Sequence, residues 1–165
     1  MHEDRSATAD AAPAAALRRE VEYRTLAAFL QDAEFLATHP HKTVGNWSYG
    51  KILQHLSDGL NRSFDGFPFR VNPLVRWVAR TFMKRKLLTQ PMSAGFKLPK
   101  KWEAELPHDS TPVDEALERL KQAIARFERE APHADHPALG PLTPDEWVQL
   151  HLRHAALHMS FVKPV

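Results

Sequence analysis

The 165-residue chain contains no cysteine. That absence excludes a disulfide framework, a thiolate nucleophile and every cysteine-based zinc site, so any metal has to be held by histidine and carboxylate. Long apolar runs are also missing: none approaches the roughly 18 residues that a membrane-crossing helix needs. Charge of one sign is lacking too, because 22 basic and 20 acidic residues leave a formal charge of only +2, too small a surplus for a nucleic-acid-binding face. There is no glycine-rich phosphate loop, no strand-like alternation of useful length and no internal repeat. The Arg18-Arg19 pair is followed by Glu20, Glu22 and Arg24 where an export signal would need uncharged apolar residues, so a cytoplasmic protein is expected.

What is present describes one ordinary domain. Hydrophobic residues make up 43% and charged residues 25% of the chain, and the length suits a single core. Residues 1–13 lack a periodic apolar stripe and are expected to form a mobile leader. From Ala14 to about Thr38 the residues Leu17, Val21, Leu26, Phe29, Leu30, Ala33 and Leu36 recur at roughly helical spacing. His39-Pro40 ends that helix, since a residue before proline is pushed out of the α region. A second helix is expected from about Ser48 to Ser63, capped by Asn46 or Ser48, with Tyr49, Ile52, Leu53, Leu56 and Leu60 on its apolar face and His55 among them.

The connection from Phe64 to Lys100 is too long for a plain loop in a small bundle and predicts a helix over about Pro73–Leu88. There Arg76, Arg80 and Lys84 form a basic stripe, with Leu74, Val75, Trp77, Val78 and Phe82 on the other side. A solvated basic face over buried apolar residues is the simple account; Arg85 and Lys86 beside the same helix leave membrane-surface association as a further reading. Thr111-Pro112-Val113-Asp114 starts another helix that continues to about Glu130, with the threonine placed to cap it. Thr143-Pro144-Asp145-Glu146 starts the last one, with glutamate at the capping-box position, and it is expected to reach about Val162. The fold predicted is all-α: a four-helix bundle with an extra helix in the long connection between helices two and three.

The chemistry sits in the last helix. His151, His154 and His158 share one side of it, and the i, i+4 pair His154 and His158 can reach one cation, because a single turn separates their Cβ atoms by about 5–6 Å. His151 lies three residues earlier on the adjoining part of that face, as an alternate ligand, a supporting group or a proton carrier. A third imidazole from a neighbouring helix, with His55 the candidate, would complete a three-histidine site with an open position for water or substrate. Asp58 lies three residues beyond His55 and could orient its imidazole or bind a water, and Glu146 is a further carboxylate for proton relay. For any one histidine the plainer account is a partly buried ring hydrogen-bonded to its neighbours. His2, His39, His41, His108 and His133 read as loop or solvent-exposed residues, and His136 fits neither group.

Trp47-Ser48 followed by Ile52-Leu53-Gln54-His55-Leu56, with the late His154-x-x-x-His158, resembles the DinB-like superfamily of metal-dependent four-helix-bundle proteins. The likeness spans most of residues 14–162, and Gly140-Pro141-Leu142-Thr143-Pro144-x-Glu146-Trp147 is similar to a branch of unassigned function. The resemblance implies that residues 14–165 form one DinB-like domain binding a divalent metal, zinc, nickel or iron, through His55, His154 and His158. It also implies a small-molecule substrate, a low-molecular-weight thiol among the candidates, a transferase or hydrolase type of reaction, and pairing into homodimers. The chain departs from the pattern at Phe161, where many relatives carry glutamine, in the extra His151, and in its long 64–100 connection. That connection could bring Trp77, Phe82, Phe96 or Trp102 over the cleft. The alternative function is a non-catalytic bundle, stress-linked in its relatives, that holds a metal or small ligand.

Overall fold

The computed structural model describes residues 17–69, 71–95 and 106–165. Among these residues the protein is helical, with five helices and one short two-strand ribbon. The first helix, α1, spans Leu26–Thr38, and Thr25 caps it by accepting a hydrogen bond from Ala28 N. It begins twelve residues later than the apolar spacing from Ala14 suggests, and the reason is a polar anchor. Arg19 donates to Asp32 from Nη1 at 2.9 Å and Tyr23 donates to the same carboxylate, while Arg19 N donates to Ser160 O at 3.0 Å. The stretch before Thr25 therefore runs along α1 instead of continuing it, and still buries Tyr23. The expected leader and residues 14–16 lie outside the described residues.

After His39 and Pro40 a strand, β1 (His41–Thr43), leads to α2 (Tyr49–Asp65). Ser48 is its cap, accepting from Lys51 N, and Ile52, Leu53, Leu56 and Leu60 are buried along one face. The fourth helix, named α4 below, covers Val113–Arg129. Thr111 does not cap it: the threonine hydroxyl donates to His108 O at 2.7 Å, and Pro112 occupies the cap position with no side-chain bond. The last helix, α5, covers Pro144–Met159 and has the full capping box of Thr143 and Glu146. It stops short of Val162 because Val162–Pro164 form β2, which pairs antiparallel with β1 in the register Thr43 to Val162. Three-residue strands are too short to leave an alternation in the sequence.

The remaining helix, α3, is built from Pro73–Val78, a π-helical turn Ala79–Met83 and Lys84–Thr89. Its position is as expected and its orientation is the reverse. Arg76 pairs with Asp135 at 2.5 Å and Lys84 with Glu146 at 2.7 Å, so these two members of the basic stripe are turned toward the protein while Arg80 between them stays exposed. Leu74, Trp77 and Phe82, expected inside, face solvent.

In the bundle α1 and α2 each pack against both α4 and α5, which closes a four-helix ring, and α3 lies outside it against α5. The main core is made by Phe29 and Leu36 of α1, Ile52, Leu53 and Leu60 of α2, Leu120 of α4, and Leu152 and Met159 of α5. A second, smaller core around Leu139, Leu142, Trp147 and Leu150 is roofed by Ala79, Leu87 and Leu88. The histidines lie between these two cores.

Candidate metal centre

α2 contributes His55, and α5 contributes His154 and His158. The three rings form a nearly equilateral triangle, with centroids 4.9 Å (His55 to His154), 4.8 Å (His55 to His158) and 4.7 Å (His154 to His158) apart. One nitrogen from each lies within 4.8 Å of the others, and the Nε2 atoms of His55 and His154 are 3.1 Å apart. Two nitrogens bound tetrahedrally at metal distances of 2.0–2.1 Å would be about 3.4 Å apart. The donor set therefore suits a divalent transition ion. The cluster can hold a metal ion.

Electrostatics keeps these rings neutral, which is the form a metal ligand needs. Burial lowers the His55 imidazole to about 3, with the neighbouring His154, Arg62 and Lys51 adding to the effect. Burial alone lowers His154 to about 4. His158 is driven further below the ordinary histidine range by burial, then by His154 and His55.

The other residues singled out by spacing are placed differently from one another. Asp58 hydrogen-bonds to Gln54 Nε2 at 2.6 Å and not to a histidine; burial raises its carboxyl, and it shares a cavity wall with His55 and His154. His151 is buried between Trp147, on which it stacks at 5.4 Å, and the edge of Phe127. Its Nε2 has no hydrogen-bond partner among the described residues, and burial, followed by His154 and His136, lowers it to about 3. Glu146 is not brought to the cluster. It accepts from Thr143 N and pairs with Lys84, two helical turns from His154, which is about 12 Å along the axis.

Three groups at the site escape a reading by spacing. Trp47 stacks on His158 at 5.2 Å and meets His55 edge-on at 5.0 Å, so one indole holds two of the three rings. Its signal in the sequence was its place in the Trp47-Ser48 motif ahead of His55, with no periodicity to give it a role. His136 is anchored in a turn where Ala138 N and Leu139 N both donate to Nδ1, at 3.2 and 3.0 Å, which puts the proton of the neutral ring on Nε2. Burial lowers it to about 4. The third group is an apolar wall: Phe67, Phe69 and Met92 of the long connection, with Leu106 beyond it, close a cavity of about 240 Å³ whose other side is His55, Asp58, His136, His151 and His154. The connection does cover the cleft, but not through Trp77 and Phe82, which are exposed; Phe96 and Trp102 lie outside the described residues.

A family model described as "Protein of unknown function (DUF1569)" matches residues 15–165. No curated protein and no solved structure matches the chain.

Proposed function

The chain belongs to the DUF1569 family, and from that premise we propose a metal-dependent enzyme of the DinB-like kind, of transferase or hydrolase type. In this reading His55, His154 and His158 hold one zinc, nickel or iron ion, and the adjoining cavity takes a small, largely apolar substrate. The observation that carries it is the triangle of three neutral imidazoles from two helices. The family match from residue 15 supports treating residues 14–165 as one domain.

The bound ion would supply an electrophilic centre able to activate a thiol or a water. With no cysteine in the chain, a thiol has to arrive with the substrate. His55 and His154 line the cavity while His158 does not, so an ion held by the three would be reached by substrate from the cavity. Phe67, Phe69, Met92 and Leu106 would exclude water from an apolar substrate body. A cavity of about 150 Å³ already accommodates a benzene ring, and the 240 Å³ here leaves space for a ring with a short polar head. His136 Nε2–H would donate to that head. Asp58 and His151 are the groups proposed to move a proton, both lining the cavity beside His154, with burial raising the Asp58 carboxyl above its ordinary range. Glu146 serves the helix cap and the tie to α3.

A non-catalytic metal-binding bundle is the second reading, favoured by the direct His55 to His154 contact, which closes the site without substrate. Elemental analysis of untagged protein, beside a His55→Ala, His154→Ala, His158→Ala variant, tests the shared premise. Near-stoichiometric metal that the variant loses supports the site; no metal after reconstitution with zinc, nickel or iron refutes it. Metal-dependent turnover in a thiol-transfer and ester-hydrolysis screen, removed by chelation, separates enzyme from binding module.

A further inference from the structure

Helix α3 presents to solvent the side that an amphipathic helix ordinarily buries. Leu74 is 68% exposed, Trp77 60% and Phe82 71%, with Val75, Val78 and Met83 exposed beside them. Six large apolar side chains are thus exposed on one 17-residue helix, with the Trp77 and Phe82 rings meeting edge to face at 6.4 Å, and clusters of exposed apolar residues mark an interaction surface. The helix is fixed in this orientation. Arg76 is clamped by Asp135 and packs against Gly140, whose Cα faces the guanidinium so closely that a Cβ would lie 3.0 Å from Nη2; Lys84 is held by Glu146 at the other end. The π-helical turn at Ala79–Met83 lies between these ties and buries only Ala79. Such turns are rare and concentrate at functional positions.

The stretch of sequence that carries the patch has charge of one sign. From Gly66 to Trp102 the sequence has nine basic residues and no acidic one, although the whole chain is nearly balanced. Arg80, Arg85 and Lys86 are exposed, and Arg85 and Lys86 make no ion pair among the described residues. Exposed tryptophan, phenylalanine and leucine flanked by arginine and lysine is the composition of a helix that lies in the interface of an anionic bilayer. A second copy of the chain is a poorer match, because a two-fold contact would set this cationic strip against itself.

We propose that α3 is a membrane-surface docking helix, placing Leu74, Trp77, Phe82 and Met83 in the headgroup and upper acyl region of an anionic bilayer while Arg80, Arg85 and Lys86 meet lipid phosphates. No helix among the described residues is long and apolar enough to cross a membrane, so the attachment is peripheral and reversible. Leu87, Leu88 and Met92, directly after the docking face, pack against the small core that includes the cavity-lining Trp147 and Leu150. The inference stands on α3 alone and does not depend on the metal.

The test is flotation of the full chain with vesicles of phosphatidylcholine containing about one third phosphatidylglycerol at about 50 mM salt, where charge is weakly screened. The protein is expected to float with these vesicles, to bind pure phosphatidylcholine about tenfold less, and to lose about tenfold on addition of roughly 0.5 M salt. A Trp77→Ser, Phe82→Ser variant and an Arg85→Glu, Lys86→Glu variant should each lose about tenfold, with circular dichroism and melting temperature unchanged because all four side chains are exposed. Absence of flotation at low salt overturns the proposal, as does binding that neither variant weakens. Sedimentation showing a dimer that Trp77→Ser, Phe82→Ser dissociates would also overturn it, giving the face to a second copy.

Discussion

His55 of α2 and His154 of α5, 99 residues apart in sequence, bring their Nε2 atoms to 3.1 Å. Two neutral imidazoles at that distance either share one proton in a hydrogen bond or turn both lone pairs to one cation. The position of His158, equidistant from both rings, adds a third nitrogen that a hydrogen-bonded pair does not need.

The first expected outcome is thermal. Zinc or nickel at about 100 times its dissociation constant should stabilise the folded protein by about 2.7 kcal/mol, a rise of roughly 5–10 °C in melting temperature for a domain of this size. His154→Ala should abolish the rise, since His154 contacts both other rings. A rise that persists in His154→Ala would place the ion elsewhere.

Trp47 carries the second. Because its indole stacks on His158 and abuts His55, Trp47→Ala should weaken metal binding by about 10–100-fold, the range for groups that orient ligands. Trp47→Phe should recover most of it by keeping a flat apolar ring at the same place. Equal affinities for all three proteins in a competitive chelator titration would remove the orienting role.

Much of this arrangement was legible in the sequence, for local reasons. The caps Ser48 and Thr143, the apolar face of α2 and the i, i+4 pair are each written within a few residues, as is the break at Pro40. What was not legible depends on distant partners. The early start expected for α1 failed because Asp32 and Ser160 hold Arg19 and Tyr23 outside the helix. The inward apolar face expected for α3 failed for the same kind of reason, since Asp135 and Glu146 decide which side turns inward. His136 gave no periodic signal because a turn, not a helix, brings it to the cavity.

Two glycines of α2 predict opposite responses to alanine. A Cβ on Gly50 would sit 1.9 Å from the Thr111 carbonyl oxygen, so backbone has to move; Gly50→Ala should destabilise by about 1–3 kcal/mol. On Gly59 a Cβ makes ordinary contact, 3.8 Å from His154 Nδ1, and Gly59→Ala should stabilise by about 0.5–1 kcal/mol through helix propensity. Urea denaturation of both variants checks the pair. A Gly50→Ala protein as stable as wild type would mean that α2 does not pack on the 111–112 turn as closely as this.

Acid should loosen the metal-free protein earlier than its carboxylates alone require. His151 has its folded value lowered from 6.5 to about 3, so below pH 6.5 the unfolded chain binds a proton that the folded chain refuses. Stability from this residue is intact above that pH and falls as pH drops toward the folded value, by up to about 1.4 kcal/mol per pH unit. His136, lowered to about 4, acts in the same direction. His151→Phe keeps an aromatic ring against Trp147 and Phe127 and has nothing to protonate. Urea unfolding with chelator present, at about pH 7, 6 and 5, should show the stability of this variant declining less steeply than wild type, by about 1 kcal/mol per unit between the two lower values. Parallel declines would mean that the wild-type ring is protonated in the folded state, and that its cavity admits enough water to solvate an imidazolium.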